Sequence, residues 1–148
     1  MKIVMFVCHG NICRSPMAEF IFKDMLEKCG RDSEFVVASS ATSTEEIRNG
    51  IGNSVYPPAK AELAKHGISC EGKKAVQLKK SDYDNYDMFL CMDSRNITNT
   101  MRIFGGDPDN KVRRLLKNKD SRPQTALHQN LDLRKIALHA AEAEFYTR

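Results

Sequence analysis

Apolar and polar positions fall into alternating blocks along the chain, and the blocks predict a series of strands and helices. Ile3 to Val7 is a β-branched and apolar run of the kind that fills a strand buried on both faces, as in a parallel sheet. Ser15 and Pro16 then signal a helix start, with Glu19 near its positive end. Apolar residues at Met17, Phe20, Ile21, Met25 and Leu26 continue the helix until Gly30 stops it. Phe35 to Ser39 reads as a second strand, and the polar stretch from Ser40 to Pro58 as a long connection, a length that is often functional. Pro58 opens a helix running to Gly67, Tyr86 to Met92 is a third strand, and Asp93 to Phe104 is a helix capped at Asp93 or Ser94 and ended by Gly105 and Gly106. Lys111 to Leu116 predicts a fourth strand. Leu127, Leu131, Leu138, Ala141 and Phe145 share one face of a closing helix over Thr125 to Phe145. This alternation predicts a three-layer α/β/α domain with a small, about four-stranded parallel sheet and right-handed crossovers. Ligands of such sheets bind outside the carboxyl ends of the strands, where the loop after the first strand lies.

Composition narrows this picture. A chain of 148 residues fits one domain, 1–148, with a core that needs no covalent staple. Hydrophobic and charged shares of 41% and 28% are ordinary for a soluble globular chain, and no apolar run approaches the ~20 residues of a membrane span. No membrane association is expected. The start of the chain, Lys2 followed by five apolar residues and then Cys8 and His9, has no small-residue cleavage site, so a cytoplasmic location is expected. Five cysteines in such a chain read as reduced thiols, one or two of them reactive. A net charge of +4 from scattered lysines is mildly basic and does not predict nucleic-acid binding.

The candidate chemistry lies in Cys8 to Ser15, Cys-His-Gly-Asn-Ile-Cys-Arg-Ser. A metal site lacks a second ligand pair, because Cys29, Cys70 and Cys91 form none, and neither a metal nor a cofactor is expected. A Cys8–Cys13 disulfide in a reducing compartment would be a regulatory state. The remaining reading is an anion site. A loop from a strand to a helix N-terminus turns successive backbone N–H groups into one concavity, here those of His9, Gly10, Asn11, Ile12, Cys13 and Arg14, and the helix dipole adds positive potential. Gly10 and Asn11 are residue types that tolerate the left-handed backbone such a curl requires. Arg14 offers a planar fork for two phosphate oxygens. The same field favours a thiolate, which makes Cys8 a nucleophile. Taken singly, Cys8 reads as a small buried hydrophobe and Arg14 as a surface charge; together, between a predicted strand and helix, they form a specific pattern.

Val7 to Pro16 resembles the N-terminal signature of the low-molecular-weight protein tyrosine phosphatases. The likeness continues through Ser39 to Ser43, His66 to Ile68 and Cys91 to Asn96, and extends as far as Leu116. The resemblance implies a flavodoxin-like, phosphotyrosine phosphatase I-like fold. It implies that Cys8 attacks the phosphorus of a phosphotyrosine protein or small aryl phosphate and that water hydrolyses the cysteinyl-phosphate. Arg14 and the loop amides would stabilise the equatorial oxygens, and a phosphate or sulfate ion would fit the same loop. By the same resemblance Ser15 assists the departing Cys8 sulfur, Asn11 and Ser39 support the loop, and Cys13 traps an oxidised Cys8. It also pairs His66 with Asp93. Tyr56 is a candidate for stacking at the substrate entrance. The chain is expected to be a monomer or weak homo-oligomer.

The likeness breaks in segment 117–148, which is atypical. The family there carries Asp-Pro followed by aromatic residues, the aspartic acid protonating the leaving phenolate. Here Asp107-Pro108 is followed by Asp109 and Asn110 and reads as a turn, while Asp120 and Asp132 lack the Pro-aromatic context. Loss of a positioned acid predicts weakening by ~10² to 10⁴-fold. Two alternatives remain: a phosphate-binding regulatory module, and thiol-coupled arsenate reduction, for which Cys91 lacks a second cysteine nearby.

Overall fold

A computed structural model describes residues 1–115; the expected closing helix and segment 117–148 lie outside the described residues. Strand β1 (Lys2–Cys8) is central, pairing in parallel with β2 (Phe35–Ala41) on one side and β5 (Met88–Cys91) on the other. β5 in turn pairs in parallel with β6 (Val112–Arg114), which gives the order β2-β1-β5-β6. The predicted α/β architecture with four parallel strands is therefore the observed one.

The unbroken apolar run of β1 exists because both faces of the sheet are covered. Val4 and Phe6 point toward α1 (Arg14–Lys28) and α2 (Pro57–Lys65), meeting Met17, Ile21, Phe22, Leu26 and Leu63. Met5 and Val7 point the other way, into a second cluster with Tyr83, Phe89, Phe104 and Val112. Tyr83 comes from the short α3 (Asp82–Asn85) and Phe104 from α4 (Ser94–Phe104). Among the described residues no helix is long and apolar enough to cross a membrane.

Helix α4 starts where a capping signal stands: the Asp93 carboxylate accepts from the Asn96 amide at 2.8 Å and the Asn96 side chain accepts from the Asp93 amide at 3.2 Å. α2 begins at Pro57, one residue before the proline expected to open it, and β2 runs two residues beyond Ser39, through Ala41. The connection read as an irregular loop contains an antiparallel hairpin, β3 (Ile47–Arg48) and β4 (Ile51–Gly52). Its turn is Asn49-Gly50 at φ +52° and +76°, the residue pair that two-residue hairpin turns demand.

This hairpin is pressed against the segment after Gly72. A Cβ on Gly52 would stand 2.0 Å from the Ala75 carbonyl oxygen, backbone that has no rotamer to yield. Gly52→Ala is therefore expected to cost about 3 kcal/mol, the upper end of overpacking penalties, read as a lowered denaturant midpoint. A midpoint equal to that of the parent would mean the two segments are not in such contact.

Candidate active site

Cys8 ends the central strand and is 2% exposed, with the loop 9–13 beyond it leading directly into α1. The loop turns at Asn11, whose φ of +57° is left-handed. That turn brings the Asn11 amide to 3.3 Å from the Cys8 sulfur, as its donor. Ser15 Oγ lies 2.9 Å from the same sulfur. Of the two residue types that tolerate a left-handed backbone here, Asn11 adopts it and Gly10 does not. A Cβ at Gly10 would stand 3.2 Å from the Glu46 Cγ, a contact that the Glu46 side chain relieves by a shift of a few tenths of an ångström.

The Asn11 side chain organises the loop from beneath. Its Nδ2 donates to Ser15 Oγ at 2.8 Å and to Ser39 Oγ at 2.9 Å, while its Oδ1 accepts the Val76 amide at 3.0 Å. Both amide hydrogens and the carbonyl are committed, which fixes the orientation of the group. Ser39 Oγ donates its single hydrogen to Glu19 Oε1 at 2.6 Å and so presents a lone pair to Asn11. Ser15, accepting from Asn11, keeps its own hydrogen for the Cys8 sulfur. On the outer side, the Thr42 and Ser43 amides donate to the Cys8 and His9 carbonyls at 3.0 and 2.9 Å, and the Tyr56 amide to the Ile12 carbonyl at 2.7 Å. The loop backbone is thus held by the end of β2 and the start of α2.

Arg14 is the first residue of α1, and its Nη1 donates to Asp93 Oδ2 at 2.8 Å. Burial works to raise the Asp93 carboxyl, but the Arg14 guanidinium and the Asn96 and Arg95 amides outweigh it and hold that group below the usual carboxylate range. The N-termini of α1 and α4 therefore meet in one ion pair at the carboxyl edge of the sheet. The expected His66–Asp93 pairing is replaced: Asp93 faces Arg14, and His66 Nε2 lies 3.8 Å from Glu62 Oε1. The reason is placement, since His66 caps the end of α2, where Glu62 is one turn away, and Asp93 follows β5.

The remaining cysteines differ in setting. Cys13 is half-buried against the core cluster beneath α1. Cys91 is fully buried, and burial pushes its thiol up to about 12, which removes it as a nucleophile at neutral pH. Tyr56 caps α2 and packs partly against the first core cluster. His9 is half-exposed and lies 3.1 Å from Glu45. Glu19 reads from the sequence only as a helix-terminal charge, and no local signal marks Lys73 or Val76, because their contacts come from distant elements.

Residues 3–132 match the family described as low molecular weight phosphotyrosine protein phosphatase. The low molecular weight protein-tyrosine-phosphatase YfkJ of Bacillus subtilis is 36% identical over 113 residues, 76% of this chain and 70% of that protein. The low molecular weight phosphotyrosine protein phosphatase of Sus scrofa is 40% identical over 101 residues, 68% of this chain but only 61% of that protein. Among solved structures, YfkJ superposes with a TM-score of 0.76 at 30% identity, covering 97% of this chain and 91% of that one. SP-PTP, a low molecular weight protein tyrosine phosphatase from Streptococcus pyogenes, gives 0.73 at 27% identity, covering 96% and 90%.

Proposed function

The chain belongs to the low molecular weight phosphotyrosine protein phosphatase family, and from that premise we propose that it hydrolyses phosphotyrosine or related aryl phosphate monoesters through a cysteinyl-phosphate. The observation that carries this reading is the Cys8 sulfur at the mouth of a strand-to-helix loop, taking hydrogen bonds from Ser15 and the Asn11 amide.

In the first step the Cys8 sulfur forms a bond to phosphorus as the bond to the aryl oxygen breaks, and the phenolate leaves with a proton from an acid or from water. In the second, water attacks phosphorus, inorganic phosphate departs, and the sulfur takes back its electron pair. Ser15 stabilises that returning negative charge with its hydroxyl hydrogen. Arg14 and the loop amides from His9 to Arg14 hold the equatorial oxygens, where charge is redistributed in both steps. Cys13, the last residue of the loop, serves as the reversible partner of an oxidised Cys8. The reduced thiols this chemistry needs fit a cytoplasmic setting.

The acid is the incomplete part. No Asp-Pro-aromatic segment occurs in the sequence, and the carboxylates Asp120 and Asp132 lie outside the described residues. That absence favours, as a second reading, a phosphate-binding module that turns over slowly. A relay of disulfides for arsenate reduction gains no support from the fully buried Cys91.

Comparison of p-nitrophenyl phosphate with phenyl phosphate separates these readings. Without a positioned acid, kcat is expected to fall by about 10² or more on passing to the poorer leaving group. Equal rates would place a working acid in the chain. Phosphate binding without release from either ester would favour the module.

A further inference from the structure

Beneath the loop lies a charge cluster that the proposed steps do not use. The Glu19 carboxylate, from the first turns of α1, is 5% exposed and takes the Ser39 hydroxyl at 2.6 Å. Lys23, one turn along the helix, meets its other oxygen at 2.6 Å. That contact alone neutralises the carboxylate. Yet a second cation, Lys73, reaches in from the segment after α2, with a side chain only 12% exposed. Its Nζ donates to the Ser39 carbonyl at 3.1 Å and stands 3.7 Å from Glu19 Oε1. Two lysines against one carboxylate leave a net positive charge behind the loop.

Such a placement is costly, and burial does lower the Lys73 ammonium, with Glu19 opposing the shift. The same segment also delivers the Val76 amide to Asn11 Oδ1, three residues on, so one strand of chain both charges and clamps the loop. Ser39 stands beside Phe6 in the sheet register, two residues before Cys8. Ser39, whose carbonyl takes the Lys73 ammonium, also accepts from Asn11, and Asn11 in turn holds Ser15, the serine 2.9 Å from the Cys8 sulfur.

We propose that Lys73 is a positioning residue of the phosphate loop, holding Ser39 and Glu19 behind it and supplying the positive charge that favours an anion in front. The inference rests on the phosphatase reading and adds to it a residue that never touches substrate.

The test is protection of Cys8 from iodoacetamide by inorganic phosphate, together with kcat and KM for p-nitrophenyl phosphate. Lys73→Met is expected to raise both the half-protecting phosphate concentration and KM by about tenfold, the size of one removed charge acting across a partly buried site. Lys73→Arg should restore most of the loss. A merely structural role would lower the active fraction and kcat, leaving the half-protecting concentration and KM in place. Should the Met variant not fold, Lys73→Gln, which keeps an N–H donor for the Ser39 carbonyl, carries the same expectation. Unchanged protection and KM in the uncharged variant, or an Arg variant as weak as Met, would overturn the role of Lys73 alone. Failure of phosphate to protect Cys8 in the unsubstituted chain would overturn the phosphatase reading and this inference with it.

Discussion

Cys8→Ser is expected to lower turnover of p-nitrophenyl phosphate by about 10⁴-fold or more while leaving phosphate binding intact. The two halves of this expectation have separate causes. Turnover requires an atom that is anionic or nearly so at neutral pH, and a serine hydroxyl with no adjacent base is neither. Binding requires the loop backbone and Arg14, and of these only the Asn11 amide bonds to the sulfur, where a serine oxygen also accepts. The Asn11 side chain, which sets the loop from beneath, bonds to Ser15, Ser39 and Val76, and the Thr42 and Ser43 amides hold the loop carbonyls. Replacing one atom at the end of β1 leaves all of these in place. Steady-state hydrolysis and calorimetric titration with phosphate on the same preparation check both halves. Activity within tenfold of the parent would remove Cys8 as the nucleophile, and lost phosphate affinity in a folded variant would mean that the sulfur itself organises the anion site.

Arg14→Lys is expected to cost about 10² to 10³ in kcat/KM and to weaken phosphate binding as well, although the formal charge is kept. The reason is specific to the Arg14–Asp93 contact. One nitrogen of the guanidinium is tied to Asp93 at 2.8 Å, and because the group is a planar fork of five donors, that tether restricts the orientation of the whole group. A lysine has one nitrogen. Asp93 is held below the usual carboxylate range and keeps its charge at neutral pH, so it would compete for that nitrogen directly. A Lys variant retaining parental kcat/KM would show that fork geometry contributes nothing; one that loses activity while binding phosphate as the parent does would confine Arg14 to the transition state.

The parts of this site that were legible in the sequence are those whose partners lie within one strand-loop-helix unit. Cys8, Asn11, Arg14 and Ser15 span eight positions, and the apolar run before them with the Ser-Pro start after them marks a strand end and a helix beginning. The hairpin at Asn49-Gly50 was equally local, but its strands are two residues each, too short for alternation to show. The residue types of Gly10 and Asn11 both permit a left-handed turn, and only the fold shows that Asn11 alone makes it.

What the sequence by itself determined is the succession of the four sheet strands with α1, α2 and α4 along the chain, the parallel sheet and the family's loop, because hydrophobic period, helix caps and turn residues act over a few positions and are written contiguously. Only the tertiary structure decided that Arg14 meets Asp93 across 79 positions, that Ser39 joins Asn11 to Glu19, and that Lys73 and Val76 close the loop from below. Those contacts depend on which strand ends and helix starts the parallel sheet gathers at one edge. Hydrogen bonds and ion pairs reach about 3 Å whatever the separation along the chain, so no spacing in the sequence encodes them.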